Sequence, residues 1–165
     1  MMKIGIMSDS HDHRPNIQKA LELFKEKEVE VIIHAGDLIS PFCVKIFEDF
    51  KGKFYLCTGN NLGDTKVINS MMKEVGFFYE EVGEFEIEGK TFALYHGTDE
   101  LMLNSLIYSK KPYDYIITGH THKKLLKKID KTLLINPGET FDLYEDPTVA
   151  ILNLENRKVE FHSLK

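Results

Sequence analysis

The first half of the chain alternates short, continuous apolar runs with stretches whose apolar residues recur at helical spacing. Residues 3–7, 29–33 and 54–57 are such runs, rich in Ile, Val, Leu and Phe. They read as strands buried on both faces. Residues 15–27 place Ile17, Ala20, Leu21 and Phe24 on one helical face. Pro15 suits the start of that helix, because its missing N–H would be unpaired there anyway. Ser40 followed by Pro41 predicts a second helix, with Ser as the cap and Pro at the first position. Residues 65–75 predict a third.

The pattern then changes. Residues 85–87 and 91–95 flank Glu88-Gly89-Lys90, a hairpin signal. Two further hairpins are predicted around Asp130-Lys131 (125–129 with 133–135) and Glu155-Asn156 (149–152 with 159–161). One helix over 100–108 and one buried strand over 113–117 stand among them. A βαβαβα first half and a mostly antiparallel second half predict an α/β fold of packed sheets with helices outside. The length of 165 residues suits one domain, 1–165, with no cap domain.

Composition narrows the function. The net charge of −5 argues against broad binding of nucleic acid or anionic membrane. The chain has 19 lysines but only two arginines, Arg14 and Arg157, so clamping of phosphate by many guanidiniums is not its method. Cys43 and Cys57 are too few for a disulfide scaffold or a Cys-built zinc site, and both sit in apolar patterns that predict buried free thiols. The apolar run at the amino terminus is too short for a signal peptide or membrane span, and a cytoplasmic location is expected.

The polar residues of interest each follow a predicted strand. Asp9 and His11 follow the first. Gly36-Asp37, Gly59-Asn60, His96-Gly97 and Gly119-His120-Thr121-His122 follow four others. In α/β sheets, sites form at the carboxyl ends of strands. The i, i+2 spacing of Asp9/His11 and of His120/His122 puts each pair on one face, if the segments are extended. Carboxylate, imidazole and amide oxygen together suit Mn²⁺, Fe²⁺, Ni²⁺ or Zn²⁺ better than Mg²⁺ or Ca²⁺. Seven candidate ligands exceed one ion's shell and suit two ions, with the central Asp37 as the natural bridge. The adjacent glycines allow sharp turns and close approach.

This ordered set, Asp9-x-His11, Gly36-Asp37, Gly59-Asn60, His96 and Gly119-His120-x-His122, resembles the calcineurin-like metallophosphoesterases. The short chain is most similar to the YfcE-type phosphodiesterases, and the likeness runs on to Asn136-Pro137-Gly138. The resemblance implies a four-layer α/β/β/α sandwich of two mixed sheets flanked by helices. It implies that Asp9, His11 and His122 bind one divalent ion and Asn60, His96 and His120 a second, with Asp37 bridging. Mn²⁺ or Ni²⁺ are the expected ions, with Fe²⁺, Co²⁺ and Zn²⁺ as alternatives. The implied reaction is hydrolysis of a small phosphodiester (a phosphoric diester hydrolase) by a metal-bridging hydroxide. Many members carry a His directly after the Asn, followed by an acid. Here Asn61 and Leu62 stand in those places. Asn61 can donate to a phosphoryl oxygen but cannot serve as a general acid.

Other readings stay open. Phosphomonoester or pyrophosphate hydrolysis would use the same residues. The resemblance extends to the retromer subunit Vps29, an interaction scaffold with a degenerate site. Asp9 and Asp37 also suit helix caps. His34 reads as steadying a ligand carboxylate or as a packed core residue. His13 and His162 are expected to be exposed. Asp12 and Arg14 lie close enough in sequence to reach substrate, but read first as a solvated loop or helix start, and Asn136-Pro137-Gly138-Glu139 reads as a turn after a strand. The Lys123-Lys124 and Lys127-Lys128 pairs read as the wet face of a hairpin. Phe42, Phe77 and Phe78 would serve either a homo-oligomer or the core.

Overall fold

Every apolar run of the sequence becomes a strand in the structure, a computed structural model that describes residues 2–165. The first half runs β1 (Lys3–Met7), α1 (Arg14–Glu26), β2 (Val31–His34), α2 (Pro41–Val44) with a 3-10 turn (Lys45–Phe47), β3 (Lys53–Cys57), α3 (Thr65–Val75) and β4 (Gly76–Tyr79). The second half runs β5 (Gly83–Ile87), β6 (Lys90–Leu94), α4 (Glu100–Ile107), β7 (Tyr115–Ile117), β8 (Lys124–Ile129), β9 (Thr132–Pro137), β10 (Thr148–Asn153) and β11 (Val159–Ser163). Among the described residues no helix is long and apolar enough to cross a membrane.

Two sheets form. The first has the order β11-β10-β1-β2-β3-β4, parallel from β1 to β4 and antiparallel at β10 and β11. The second has the order β5-β6-β7-β9-β8. Its centre, β6-β7-β9, is parallel, and only the edges β5 and β8 pair antiparallel. The mostly antiparallel second half expected from the hairpin signals is therefore corrected. The hairpins form, but β6, β7 and β9 pair across the gaps that α4 and β8 bridge. The strand β4 carries no separate signal in the sequence. It follows α3 with no intervening loop, so its short Gly-Phe-Phe-Tyr run reads as a continuation of the helix.

Alternation along the buried strands sends side chains to two cores. Met7, Ile32, Phe54 and Leu56 pack with Ile17, Ala20 and Phe24 of α1 and with Ile68 and Met72 of α3. Ile4, Ile6, Val31, Ile33 and Tyr55 face the other way, onto Phe92, Leu94, Tyr115, Ile117 and Ile135 of the second sheet. A third, smaller core sets Leu106 of α4 against Ala93, Ile116 and Leu134. Three cores between four layers make the α/β/β/α sandwich. The edge strand β8 is largely exposed, so its lysines do face water. Phe42 and Phe77 are exposed, whereas Phe78 packs against the first core. Both cysteines are buried and free.

His34, the last residue of β2, ties two loops together. It is wholly buried. Its Nδ1 accepts from the Gly36 N–H at 3.2 Å, so Nε2 carries the proton and donates to Ser10 Oγ at 2.9 Å. It thus steadies the backbones of the 8–13 and 35–40 loops rather than a carboxylate directly. Burial pulls its pKa from the ordinary 6.5 down to about 3, against the pull of Asp37. The unfolded chain therefore binds a proton below pH 6.5 that the folded chain refuses. Stability contributed by this group is present above pH 6.5 and is lost as pH falls towards 3. The loss is about 1.4 kcal/mol per pH unit in that window. His34→Gln removes the titration, and its urea-unfolding free energy should fall less steeply than the wild type's between pH 6.5 and 4. Parallel slopes for the two proteins would contradict this role for His34.

Candidate metal centre

The carboxyl ends of β1, β2 and β3 in one sheet and of β6, β7 and β9 in the other lie at one edge of the sandwich. The loops that leave them are stitched by backbone hydrogen bonds. Asp9 N–H donates to Gly36 O (3.0 Å), His11 N–H to Asp37 O (2.9 Å), Gly119 N–H to His96 O (2.9 Å) and Thr140 N–H to Ser8 O (2.9 Å). Every candidate ligand of the sequence sits here.

The local backbone is not extended, which corrects the reasoning from i, i+2 spacing. Asp9, His11, Asp37, His120 and His122 all have positive φ, between 41° and 66°. L-residues adopt that region at a cost, and such residues concentrate at functional sites. The side chains meet because left-handed turns aim them inward. Two glycines permit the close contact. A Cβ on Gly59 would lie 2.0 Å from Asp37 Oδ1, and one on Gly119 would lie 1.9 Å from Ser8 Oγ and 2.6 Å from Asp9 Oδ2. Helix capping does not explain the two aspartates. His13 caps α1 and Ser40 caps α2.

The polar atoms form two groups. In the first, Asp9, His11 and His122 converge. His122 Nδ1 donates to Glu139 Oε2, so its Nε2 turns a lone pair towards Asp9 Oδ1, 3.4 Å away. Asp9 Oδ1 and His11 Nε2 are buried and have no hydrogen-bond partner. In the second, Asp9, Asp37 and His96 converge. His96 Nδ1 donates to Ala35 O at 2.6 Å, which leaves Nε2 as an acceptor. That Nε2 lies 2.9 Å from Asn60 Oδ1 and 3.5 Å from Asp37 Oδ2. Asn60 Oδ1 also meets His120 Nδ1 at 2.9 Å. Asp9 is the carboxylate the two groups share, while Asp37 Oδ2 stands 3.5 Å from both His11 Nε2 and His96 Nε2. With His96 neutral, its Nε2 and the Asp37 and Asn60 oxygens are acceptors facing one another, and in the absence of a cation a proton on Nε2 answers them. Buried lone pairs so arranged suit a cation, and this donor set fits divalent ions.

The electrostatics follow. Burial raises the pKa of Asp9, only partly offset by His96, Ser8 and His122. Burial also works against the Asp37 carboxylate, but hydrogen bonds from His96 and Asn61 outweigh it and hold its pKa well below the ordinary range. For His96, burial opposes protonation, yet Asp37 and Asp9 outweigh it and the pKa rises.

Asn61 is placed differently from expectation. It is exposed, and its polar groups turn to Asp37. Its N–H donates to Asp37 Oδ1 (2.9 Å) and its side-chain amide to Oδ2 (2.8 Å), so it grips the central carboxylate. Asp12 is no solvated loop residue: its Oδ1 accepts from the N–H groups of Ile39 and Ser40 and pins the loop that follows Asp37. His13 and His162 are partly buried rather than exposed.

Glu139 went unrecognised in the sequence and belongs to the site. It is fully buried. One oxygen takes the His122 proton, and the other accepts from the N–H groups of Leu143 (2.6 Å), Tyr144 (2.8 Å) and Glu145 (2.9 Å). These bonds outweigh its burial and lower its pKa. A signal existed: β8 pairs Lys124 with Pro137, and the same register carried outward sets residue 122 opposite 139.

Known proteins share both sequence and fold. Residues 2–157 match the calcineurin-like phosphoesterase superfamily domain. The phosphodiesterase MJ0936 of Methanocaldococcus jannaschii is 39% identical over 160 residues, covering 95% of this chain and 96% of that protein. The solved structure of an archaeal phosphodiesterase is 38% identical with a TM-score of 0.92, covering 98% of this chain and 99% of that one. More distant folds include Escherichia coli YfcE (15% identity, TM-score 0.68, covering 99% and 100%) and Vps29 of Entamoeba histolytica solved with Zn²⁺ (18%, TM-score 0.69, covering 99% and 100%). With its strand-end ligand loops, its sandwich and these relatives, the chain belongs to the calcineurin-like phosphoesterase superfamily.

Proposed function

We propose that this protein hydrolyses phosphodiesters with two divalent ions held by Asp9, His11 and His122 on one side and Asn60, His96 and His120 on the other, with Asp37 between. The observation that carries the proposal is the pair of acceptor clusters with Asp9 Oδ1 and His11 Nε2 buried and unpartnered. The phosphodiesterase names of the similar proteins support the diester class. Divalent ions supply, when bound, an acidified water and neutralisation of phosphoryl charge. Mn²⁺ and Ni²⁺ are the favoured ions for such mixed O/N donors, with Fe²⁺, Co²⁺ and Zn²⁺ close behind.

The protein's own part is to hold the donors still. Asn61 fixes Asp37, the Ala35 carbonyl fixes the His96 tautomer, and Glu139 fixes that of His122. The arginines do not supply the charge. Arg157 donates to the carbonyls of Asp114 and Lys131, and Arg14 lines a groove with Gln18 and Lys45. A general acid is not in evidence among the residues placed at the site. His34 is neutral and committed to Ser10 and Gly36.

The likeness to Vps29 keeps a scaffold as the second reading. A Vps29 has been solved with Zn²⁺, so metal uptake does not separate the readings and turnover does. Bis(p-nitrophenyl) phosphate with Mn²⁺ or Ni²⁺ should be turned over by the wild type. Asp37→Ala should lose more activity than the roughly 10–100-fold typical of removing an outer partner of a metal ligand. Wild-type rates in Asp37→Ala would overturn the assignment, and metal binding with no turnover of mono- or diesters would favour the scaffold. With Asn61 in place of a histidine, rates should also fall steeply as the leaving group's pKa rises. Comparable rates on nitrophenyl and alkyl esters would show that a proton donor serves the leaving oxygen after all.

A further inference from the structure

We propose that the loop of residues 138–147 is a preformed seat for a planar aromatic substituent of the phosphodiester, with Tyr144 as its platform. The proposal rests on the phosphodiesterase reading above and names the class of diester. The loop is tied down twice from beneath. The buried Asn16 donates from Nδ2 to the carbonyls of Thr140 (2.9 Å) and Phe141 (3.0 Å). Glu139 accepts from three N–H groups further along the loop, those of Leu143, Tyr144 and Glu145.

Leu143 is 58% exposed and Tyr144 72% exposed. The backbone is fixed and the large side chains face water, an arrangement that lowers the ordering cost of receiving a ligand. The position is adjacent to the metal ligands. The Phe141 ring lies 5.3 Å from that of His11, and the Tyr144 ring meets His122 edge-on at 5.0 Å. The two rings stand at 85° to each other, and most of the Tyr144 side chain remains open to solvent for stacking.

Beyond His122 opens a cavity of about 660 Å³ between this loop and the start of β8. That volume takes a nucleoside-sized group. Its charged walls are mixed. Lys123 and Lys124 face Asp142, Glu145 and Asp146, and Asp146 is paired with Lys165, so the walls carry little net charge. Such walls offer a second phosphate no net attraction and suit a neutral ring system. Stacking on an aromatic face needs no particular base.

Three diesters that share a p-nitrophenolate leaving group test this. Their retained substituents are methyl, p-nitrophenyl and thymidin-5′-yl, which separates a bare ring from a nucleoside. The wild type should show KM values about tenfold lower for one or both aromatic substituents than for methyl. Tyr144→Ala should erase that preference by raising the aromatic KM values, and Tyr144→Phe should keep it. Equilibrium dialysis gives a readout apart from turnover. Thymidine 5′-monophosphate should bind the wild type more tightly than inorganic phosphate does, and Tyr144→Ala should abolish the difference. Equal KM values for all three esters in the wild type, or a preference that survives Tyr144→Ala, would overturn the proposal. If no ester is turned over, the phosphodiesterase reading fails, and the dialysis still decides whether the seat exists.

Discussion

The structure depends on a confrontation of acceptors. Asp9 and Asp37, both buried, stand within 4 Å of imidazole nitrogens that, in the neutral rings, are acceptors as well. Burial of unpaired lone pairs costs folding free energy. The fold tolerates the arrangement because everything around it is held. The sandwich cores are continuous up to the strand ends, and the ligand loops are cross-linked by their own backbones. Positive φ at five of the seven candidate ligands stores further strain there. A cation relieves the electrostatic part.

Around that edge sits a ring of residues whose work is to orient. His34, Asn61, Asp12 and Glu139 touch either a candidate ligand or the backbone that carries one. Two of them, His34 and Glu139, use both ends of the polar group. His34 links the Ser10 hydroxyl to the Gly36 amide, and Glu139 links an imidazole to three backbone amides. A group satisfied at both ends has one orientation, so the ligands it touches inherit one as well. The same device carries outward through Glu139 to the loop that holds Tyr144. The orientation of His122 and the backbone that carries Tyr144 are therefore set by one buried carboxylate.

The fold was largely legible, and for a physical reason. Strands buried on both faces need continuous apolar runs, so residues 3–7, 31–33 and 54–57 announced themselves. Sites form at strand ends, so the polar residues after each run pointed to one place. The parallel centre of the second sheet was not legible. Hairpin signals report neighbours in sequence, whereas the pairing of β6 with β7 and of β7 with β9 joins residues about twenty apart. The strand β4 was missed because no turn chemistry separates it from α3.

The sequence by itself determined which residues could bind a metal and in what order along the chain, because ligand chemistry resides in the side chain. It also determined the absence of a histidine after Asn60 and the scarcity of arginine. Only the tertiary structure decided how those residues face one another. The left-handed turns, the sharing of Asp9 by both groups, and the grip of Asn61 on Asp37 depend on loops pressed together by two sheets. The role of Glu139 depends on a hairpin register that brings residue 139 back beside 122. Side-chain chemistry is local, but a proton's location is settled by partners distant in sequence, and those partners exist only in the folded chain.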